Sequence, residues 1–328
     1  METNRSVRQL MRRAHALGQR IWPDFGTRFS RQDFTQPQLF ACLAVRECLR
    51  LSYRKAEAFL MDVPDWLAAI GMTGAPDHNT LWRAFGALIR PAKVERALDL
   101  MAEDGERELS AGLAVKPLTL DSTCYEPRHR SGHYDRVCRK IAARAGEEHA
   151  QKPGKYAATV NASRSAALRR MPKLALATAA DSHRILAART HIGNGSDHPD
   201  FEPLLLQAWR RADVKTVVAD AGYDSEANHC LARLDMGVRS IIPPRVGRPS
   251  QRAPAGYYRR LMKRRFKKKA DAKLYGQRSQ SETLNSMMKR NLGDSLRSVL
   301  PERREQEMLL RTLVHNLMLP PPKDEGRD

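Results

Sequence analysis

Three carboxylates stand where a side chain of their charge needs a reason to be. Asp121 lies within the apolar run Leu118-Thr119-Leu120-Asp121-Ser122-Thr123, and Asp220 follows a second one, Val217-Val218-Ala219. Burying a carboxylate is costly unless a cation or hydrogen-bond donors compensate it. Asp220 also closes its run and precedes Ala221-Gly222-Tyr223, where the glycine permits a tight exit. In open α/β sheets, ligands gather at the carboxyl ends of strands. Together the two aspartates suit ligands converging on one metal ion. Taken singly, either reads equally well as a capping or turn residue.

The third carboxylate is Glu282, in the stretch from Tyr275 to Lys289, whose composition is helical. At ~100° per residue, Tyr275, Arg278, Glu282 and Lys289 fall within a stripe about 60° wide. Leu284, Met287 and Met288 occupy the other side and can pack on a sheet. One helix would then offer a ligand carboxylate flanked by cations suited to phosphate oxygens: Arg278, Lys289 and the adjoining Arg290. A solvated helix carrying an Arg278–Glu282 ion pair would have the same spacing.

The elements that must position these groups change character along the chain. The first hundred or so residues read as helical. Ser6 to Trp22 and Gln36 to Leu51 carry apolar residues at helical spacing, the second with Leu39, Phe40, Leu43, Ala44, Cys48 and Leu49 inward. Ser52 suits the cap of a short helix from Tyr53 to Phe59, with Glu57 on its exposed side. After a connection containing Pro and Gly, Asp77 or Asn79 can cap another helix, Thr80 to Ile89. This pair reads either as a helix-turn-helix-like unit or as part of a plain helical bundle.

From Lys116 the pattern turns to alternation and β-branched runs. Strands are expected over Pro117–Thr123, Lys173–Ala180 and His183–Thr190, the last two joined by a turn at Asp181-Ser182. A helix over Phe201–Ala212, a strand over Val214–Ala219, a helix over Ser225–Leu234 and a strand over Val238–Ile242 follow. This order resembles the ribonuclease H-like fold: a mixed α/β sheet flanked by helices. The expected division is an all-helical domain over 1–112, an α/β catalytic domain over 113–319 and a tail over 320–328. Two basic inserts interrupt the second domain, near 127–170 and 245–273. The latter holds Arg259, Arg260, Lys263, Arg264, Arg265, Lys267, Lys268 and Lys269 with almost no acid before Asp271, and Tyr257, Tyr258 and Phe266 interleaved. Such a block is either a solvated segment or a phosphate-binding surface, and the aromatics favour the latter.

Composition narrows the partners. Fifty-seven Lys and Arg against 37 Asp and Glu give a formal net charge of +20 over 328 residues. A surplus of this size is ordinarily neutralised by a polyanion, most often nucleic acid. No apolar segment approaches the ~20 residues of a membrane span, and the N-terminus shows no secretory h-region. The five cysteines form no CxxC pair, which argues against a zinc ribbon or a disulfide scaffold and fits a reducing, cytoplasmic setting.

The spacing of Tyr275, Arg278, Glu282 and Lys289 matches the Tyr-Arg-Glu-Lys signature of bacterial DDE-type insertion-sequence transposases of groups four and five. Asp121 in Leu-Asp-Ser-Thr resembles that family's first acid, and Asp220 in Ala-Asp-Ala-Gly-Tyr-Asp its second. The resemblance extends to Ile241-Ile242-Pro243-Pro244, the closing helix of Leu309 to Leu319, Ser52-Tyr53-Arg54 and Thr80-Leu81-Trp82-Arg83. Some relatives carry a β-rich subdomain between the second acid and the glutamate; the short basic interval here implies none.

The resemblance implies a DNA transposase that binds the ends of its insertion sequence, hydrolyses phosphodiesters there and joins the exposed 3′-hydroxyls to target DNA. It implies two Mg²⁺, with Mn²⁺ able to substitute, about 3.5–4 Å apart, one activating the attacking oxygen and one stabilising the departing one. Asp121 would bridge the ions, with Asp220 and Glu282 each completing one. Arg278 and Lys289 would position phosphates, with Tyr275 against the backbone or a displaced base. Double-stranded DNA and a second copy of the chain in the DNA complex are the expected partners, in a bacterial cytoplasm close to the nucleoid. Competing readings are a metal-dependent nuclease without joining activity, a catalytically dead DNA-binding repressor, and a basic RNA-binding protein. The last leaves both strand-borne aspartates without a purpose.

Overall fold

The computed structural model describes residues 6–27, 29, 31–108, 117–127, 171–193, 195–245 and 254–320. Most of the 127–170 insert and part of the 245–273 insert lie outside the described residues.

Among the described residues six helices precede the sheet: α1 (Val7–Ile21), α2 (Gln36–Cys48), α3 (Tyr53–Asp62), α4 (Pro64–Ala68), α5 (His78–Leu88) and α6 (Pro91–Glu108). Their starts are written locally. The side chains of Ser6, Thr35, Ser52 and Asp77 each accept from a backbone N–H of the following turn, and Gln38 returns the bond to Thr35 in a capping box. Helix α4 falls where the sequence suggested only a connection, started by Pro64 in its first turn. Helix α2 ends sooner than expected, because Arg50 adopts φ 54°. It is also buried on more than one face, Gln38, Arg46 and Glu47 included. Glu57 is not a free surface residue: its carboxylate accepts from the backbone N–H of His78 at 3.1 Å and contacts the imidazole Nδ1 at 2.7 Å, tying α3 to α5.

The sheet is built from β1 (Leu118–Cys124), β3 (Pro172–Ala179), β4 (Ile185–Ile192), β5 (Thr216–Ala219) and β6 (Arg239–Ile241), in the order β4-β3-β1-β5-β6. The first three are antiparallel neighbours; β1, β5 and β6 run parallel. A small separate pairing joins β2 (Glu126–Pro127) to β7 (Ser295–Leu296). Strand β4 starts two residues later than the sequence suggested, since His183 takes a left-handed φ of 54° in the hairpin turn.

Alternation along the strands gives the sheet two apolar faces. Leu118, Leu120, Ala175, Ala177 and Val217 pack with Phe201, Leu204, Leu205 and Ala208 of α7 (Phe201–Arg211). Full burial of the Leu, Val and Phe side chains among these is worth about 1.5–3 kcal/mol each. Leu174, Leu176, Ile185 and Ala188 face the other way, into a core shared by α1 to α6 and the last two long helices. Those are α11 (Ser279–Leu292) and α12 (Pro301–Met318). Between β5 and α11 come α8 (Glu226–Cys230), continued by a π-helical turn over Leu231–Asp235, then α9 (Tyr257–Lys267) and α10 (Ala272–Gly276).

The sequence placed Tyr275, Arg278, Glu282 and Lys289 on one helix, and this is corrected. Tyr275 belongs to α10, and Arg278 is the residue that caps α11. Gln277 and Arg278 hold near-helical dihedrals, so the four residues stay close to one stripe although the helix is interrupted. No helix among the described residues is long and apolar enough to cross a membrane.

Candidate active site

The parallel pairing of β1 with β5 sets the geometry. Leu120 stands opposite Ala219, so Asp121 and Asp220 occupy the next position on each strand, side by side where β5 ends. Asp220 turns the chain into a 3-10 turn over Ala221–Tyr223, its side chain accepting from the Gly222 N–H at 2.7 Å. The absence of a side chain leaves room for two carboxylates there. A Cβ on Gly222 would lie 2.8 Å from a carboxylate oxygen of Asp197 and 2.9 Å from one of Asp220.

By strand alternation Asp121 faces α11, and the helix meets it directly. Asn285 Nδ2 donates to Asp121 Oδ2 at 3.0 Å, and Ser281 Oγ, its one proton shared with the Arg278 carbonyl at 2.7 Å, lies 3.2 Å from the same oxygen. The other oxygen accepts from the Ser122 N–H at 2.9 Å. Burial, and next the Asp220 carboxylate, push the Asp121 carboxyl above the ordinary range, against the opposing Ser122 hydrogen bond. Asp121 is thus desolvated and repelled by its neighbour, the condition a cation relieves.

Glu282 follows Ser281 on α11 but turns outward. Its carboxylate, 56% exposed, is held by Arg278 at 2.5 Å. Among the described residues no three His, Cys, Asp or Glu side chains converge closely enough to hold a metal ion. The donor set at Asp121 nonetheless fits a divalent cation. Two carboxylates adjoin, Glu282 is one residue from a group touching Asp121, and Asn285 Oδ1 is buried without a donor.

The remaining candidates divide into two groups. Lys289 and Arg290 line an open concavity of about 530 Å³ with Glu282, Asn285, Ser286 and Asp294, beside the acids. Tyr275 packs edge-on against Phe266, centroids 5.0 Å apart, joining α10 to α9. On α9, Arg260, Lys263 and Arg264 are exposed, and Lys267, Lys268 and Lys269 follow them into solvent. Arg259 and Arg265 are engaged within the protein. Arg259 pairs with Asp224 at 2.7 Å and Arg265 with Asp271 at 2.5 Å, the latter acid also held by Arg239. Burial alone would raise the Asp224 carboxyl, but the His229 imidazole 3.7 Å away and hydrogen bonds from Arg259 and the Arg245 N–H hold it well below the usual range. Asp224 therefore anchors the basic helix, while Asp220, four residues earlier, faces the site.

Ser281, Asn285 and Asp197 were not found from sequence. Ser281 and Asn285 are four apart and so share a helical face, one residue out of step with Glu282. That spacing was the available signal. Asp197 had none, because only the folded sheet brings it beneath Ser122.

The family described as Transposase DDE domain matches residues 126–317, more than half of the chain, including Asp220 and Glu282 and beginning just after β1. No curated protein matches the chain, and no solved structure does. A mixed five-stranded sheet flanked by helices, acids side by side on adjacent parallel strands where β5 ends and this match agree: the chain belongs to the DDE-domain transposase family.

Proposed function

We propose that the protein is a DNA transposase that binds the ends of its insertion sequence, cleaves phosphodiesters there and transfers the 3′-hydroxyl ends to target DNA, with Asp121, Asp220 and Glu282 as its catalytic acids. The observation that carries this is the placement of Asp121 and Asp220 side by side, with the Glu282 helix bonded to Asp121 through Ser281 and Asn285. These residues would hold Mg²⁺, which when bound supplies the charge that activates an attacking oxygen and stabilises a leaving alkoxide. Ser281 and Asn285 hold Asp121 at a fixed height on the helix. Arg278 holds Glu282 until DNA arrives; a phosphate that draws Arg278 away frees the carboxylate to turn toward the aspartates. Lys289 and Arg290 lie along the concavity where a DNA strand would pass. The exposed cations of α9 add phosphate contacts at its edge.

The same reading assigns DNA binding to the helical region before β1, with α3 and α5 as its helix-turn-helix-like pair. Two transposon ends held together call for a dimer in the DNA complex, and a nucleoid-associated place in the bacterial cytoplasm follows.

The test is cleavage of supercoiled plasmid carrying the element's ends, with Mg²⁺, Mn²⁺ or EDTA, by wild type and Glu282→Gln. Metal-dependent cutting that the variant loses while still binding DNA supports the proposal. Wild-type cutting by the variant removes Glu282 from the site. Binding without cutting under either metal establishes a DNA-binding repressor instead.

A further inference from the structure

We infer that Asp197, anchored by the buried Lys173, is a positioning residue that braces the two aspartates from the opposite face of the sheet. The inference rests on the metal site proposed above.

Lys173 is the second residue of β3 and its side chain is fully buried, an expensive place for an ammonium group unless it is paired. Its partners are specific. Nζ lies 2.8 Å from Asp197 Oδ1 and 3.3 Å from Asp200 Oδ2, and donates to the carbonyls of Gly195 and Ser196 at 3.3 Å. Asp200 is itself held by Arg189 at 3.2 Å and His191 at 2.7 Å. The segment between β4 and α7 is thereby fastened to the end of β3.

What Lys173 fixes is the aim of Asp197. Asp197 Oδ1 also accepts from Ser122 Oγ at 2.7 Å. Ser122 follows Asp121 on β1, and by alternation its side chain points to the face opposite Asp121. The other carboxylate oxygen, Oδ2, approaches the turn after β5, reaching within 2.8 Å of the Cβ position that Gly222 leaves vacant. Asp220 Oδ1 approaches that position to 2.9 Å from its own side. One carboxylate therefore contacts β1 one residue beyond the first acid and abuts the turn two residues beyond the second. A single buried cation sets its position.

The bracing contact has a consequence that scaffolding alone lacks. Groups that orient metal ligands typically change metal affinity by about 10–100-fold when removed. A contact serving only the fold changes unfolding and leaves affinity alone.

Calorimetric titration of the full chain with MnCl₂ separates these cases, using Asp197→Asn, Ser122→Ala and Asp121→Asn beside wild type. Asp197→Asn should bind Mn²⁺ about tenfold more weakly or worse, and Ser122→Ala should shift the same way by a smaller factor. Wild-type affinity in both, with Asp121→Asn not binding, overturns the bracing role and leaves the metal site standing. Wild-type affinity in Asp121→Asn overturns the metal site itself. If Asp197→Asn does not fold, Ser122→Ala decides, because it removes one hydroxyl and leaves Lys173 paired.

Discussion

Two clusters of buried charge lie on the same side of the sheet and are treated in opposite ways. Where α2 meets α12, Glu47 is fully buried and contacts Arg311 at 2.9 Å, Arg46 at 3.3 Å and Arg297. Glu307 contacts Arg311 at 2.9 Å and accepts from the backbone N–H groups of Arg297 and Ser298. Arg311 spends its remaining donors on the carbonyls of Gly293 and Ser295, both at 2.8 Å. Each carboxylate there faces more than one guanidinium or N–H donor. At the site, Asp121 also has donors, the Ser122 N–H, Asn285 Nδ2 and Ser281 Oγ, but none of them is a cation, and the neighbouring group is a second carboxylate, Asp220. In the first cluster the protein's own guanidinium groups neutralise the carboxylates. The second leaves a carboxylate pair that a cation brought in would neutralise.

That contrast breaks most visibly at Arg311. Arg311→Met takes from Glu47 and Glu307 the guanidinium they share, and breaking a buried pair by removing one partner costs about 3–5 kcal/mol. Denaturant unfolding should show a loss of this size; a loss below about 1 kcal/mol would mean the cluster is not what joins α2 to α12.

Next in size is an acid-sensitive contact on the same helix. Burial holds His315 down to about 4 from 6.5, its Nε2 within 3.0 Å of the His183 carbonyl. The folded state keeps this imidazole neutral while the unfolded chain protonates it. Stability is therefore fully present above pH 6.5 and lost as the pH falls toward 4. The loss amounts to about 3 kcal/mol by linkage. His315→Gln should flatten the dependence of unfolding free energy on pH across that window. An unchanged slope would contradict a neutral buried imidazole.

How much of this was legible depended on whether the information was local. Asp121 and Asp220 stood out because a carboxylate in an apolar run is anomalous within six or seven residues. The caps at Ser52 and Asp77 and the turn at Asp181-Ser182 are local in the same sense. Glu47 was illegible. Read alone it is a polar residue on an amphipathic helix, and its burial is sustained by Arg297 and Arg311, more than two hundred residues away. Lys173 and Asp197 are hidden for the same reason, since the register that brings Asp197 under Ser122 exists only in the folded sheet. The interruption between α10 and α11 was missed because Gln277 and Arg278 keep near-helical dihedrals, which preserves the periodicity of the side chains while the helix stops.

The smallest expected effect on the empty chain belongs to Asp121→Asn, and it is the most informative. Its unfolding, followed in denaturant with and without Mn²⁺, tests directly whether the acid pair is built for a cation. Without metal the variant should lie close to wild type, because a repulsive charge is gone while an amide nitrogen replaces one of the two oxygens that accept from Ser122, Ser281 and Asn285. With Mn²⁺ at about a hundred times its dissociation constant, wild type should gain about 2.7 kcal/mol and the variant almost nothing. Equal gains in both proteins would contradict the account, because the ion would then be bound somewhere other than between Asp121 and Asp220.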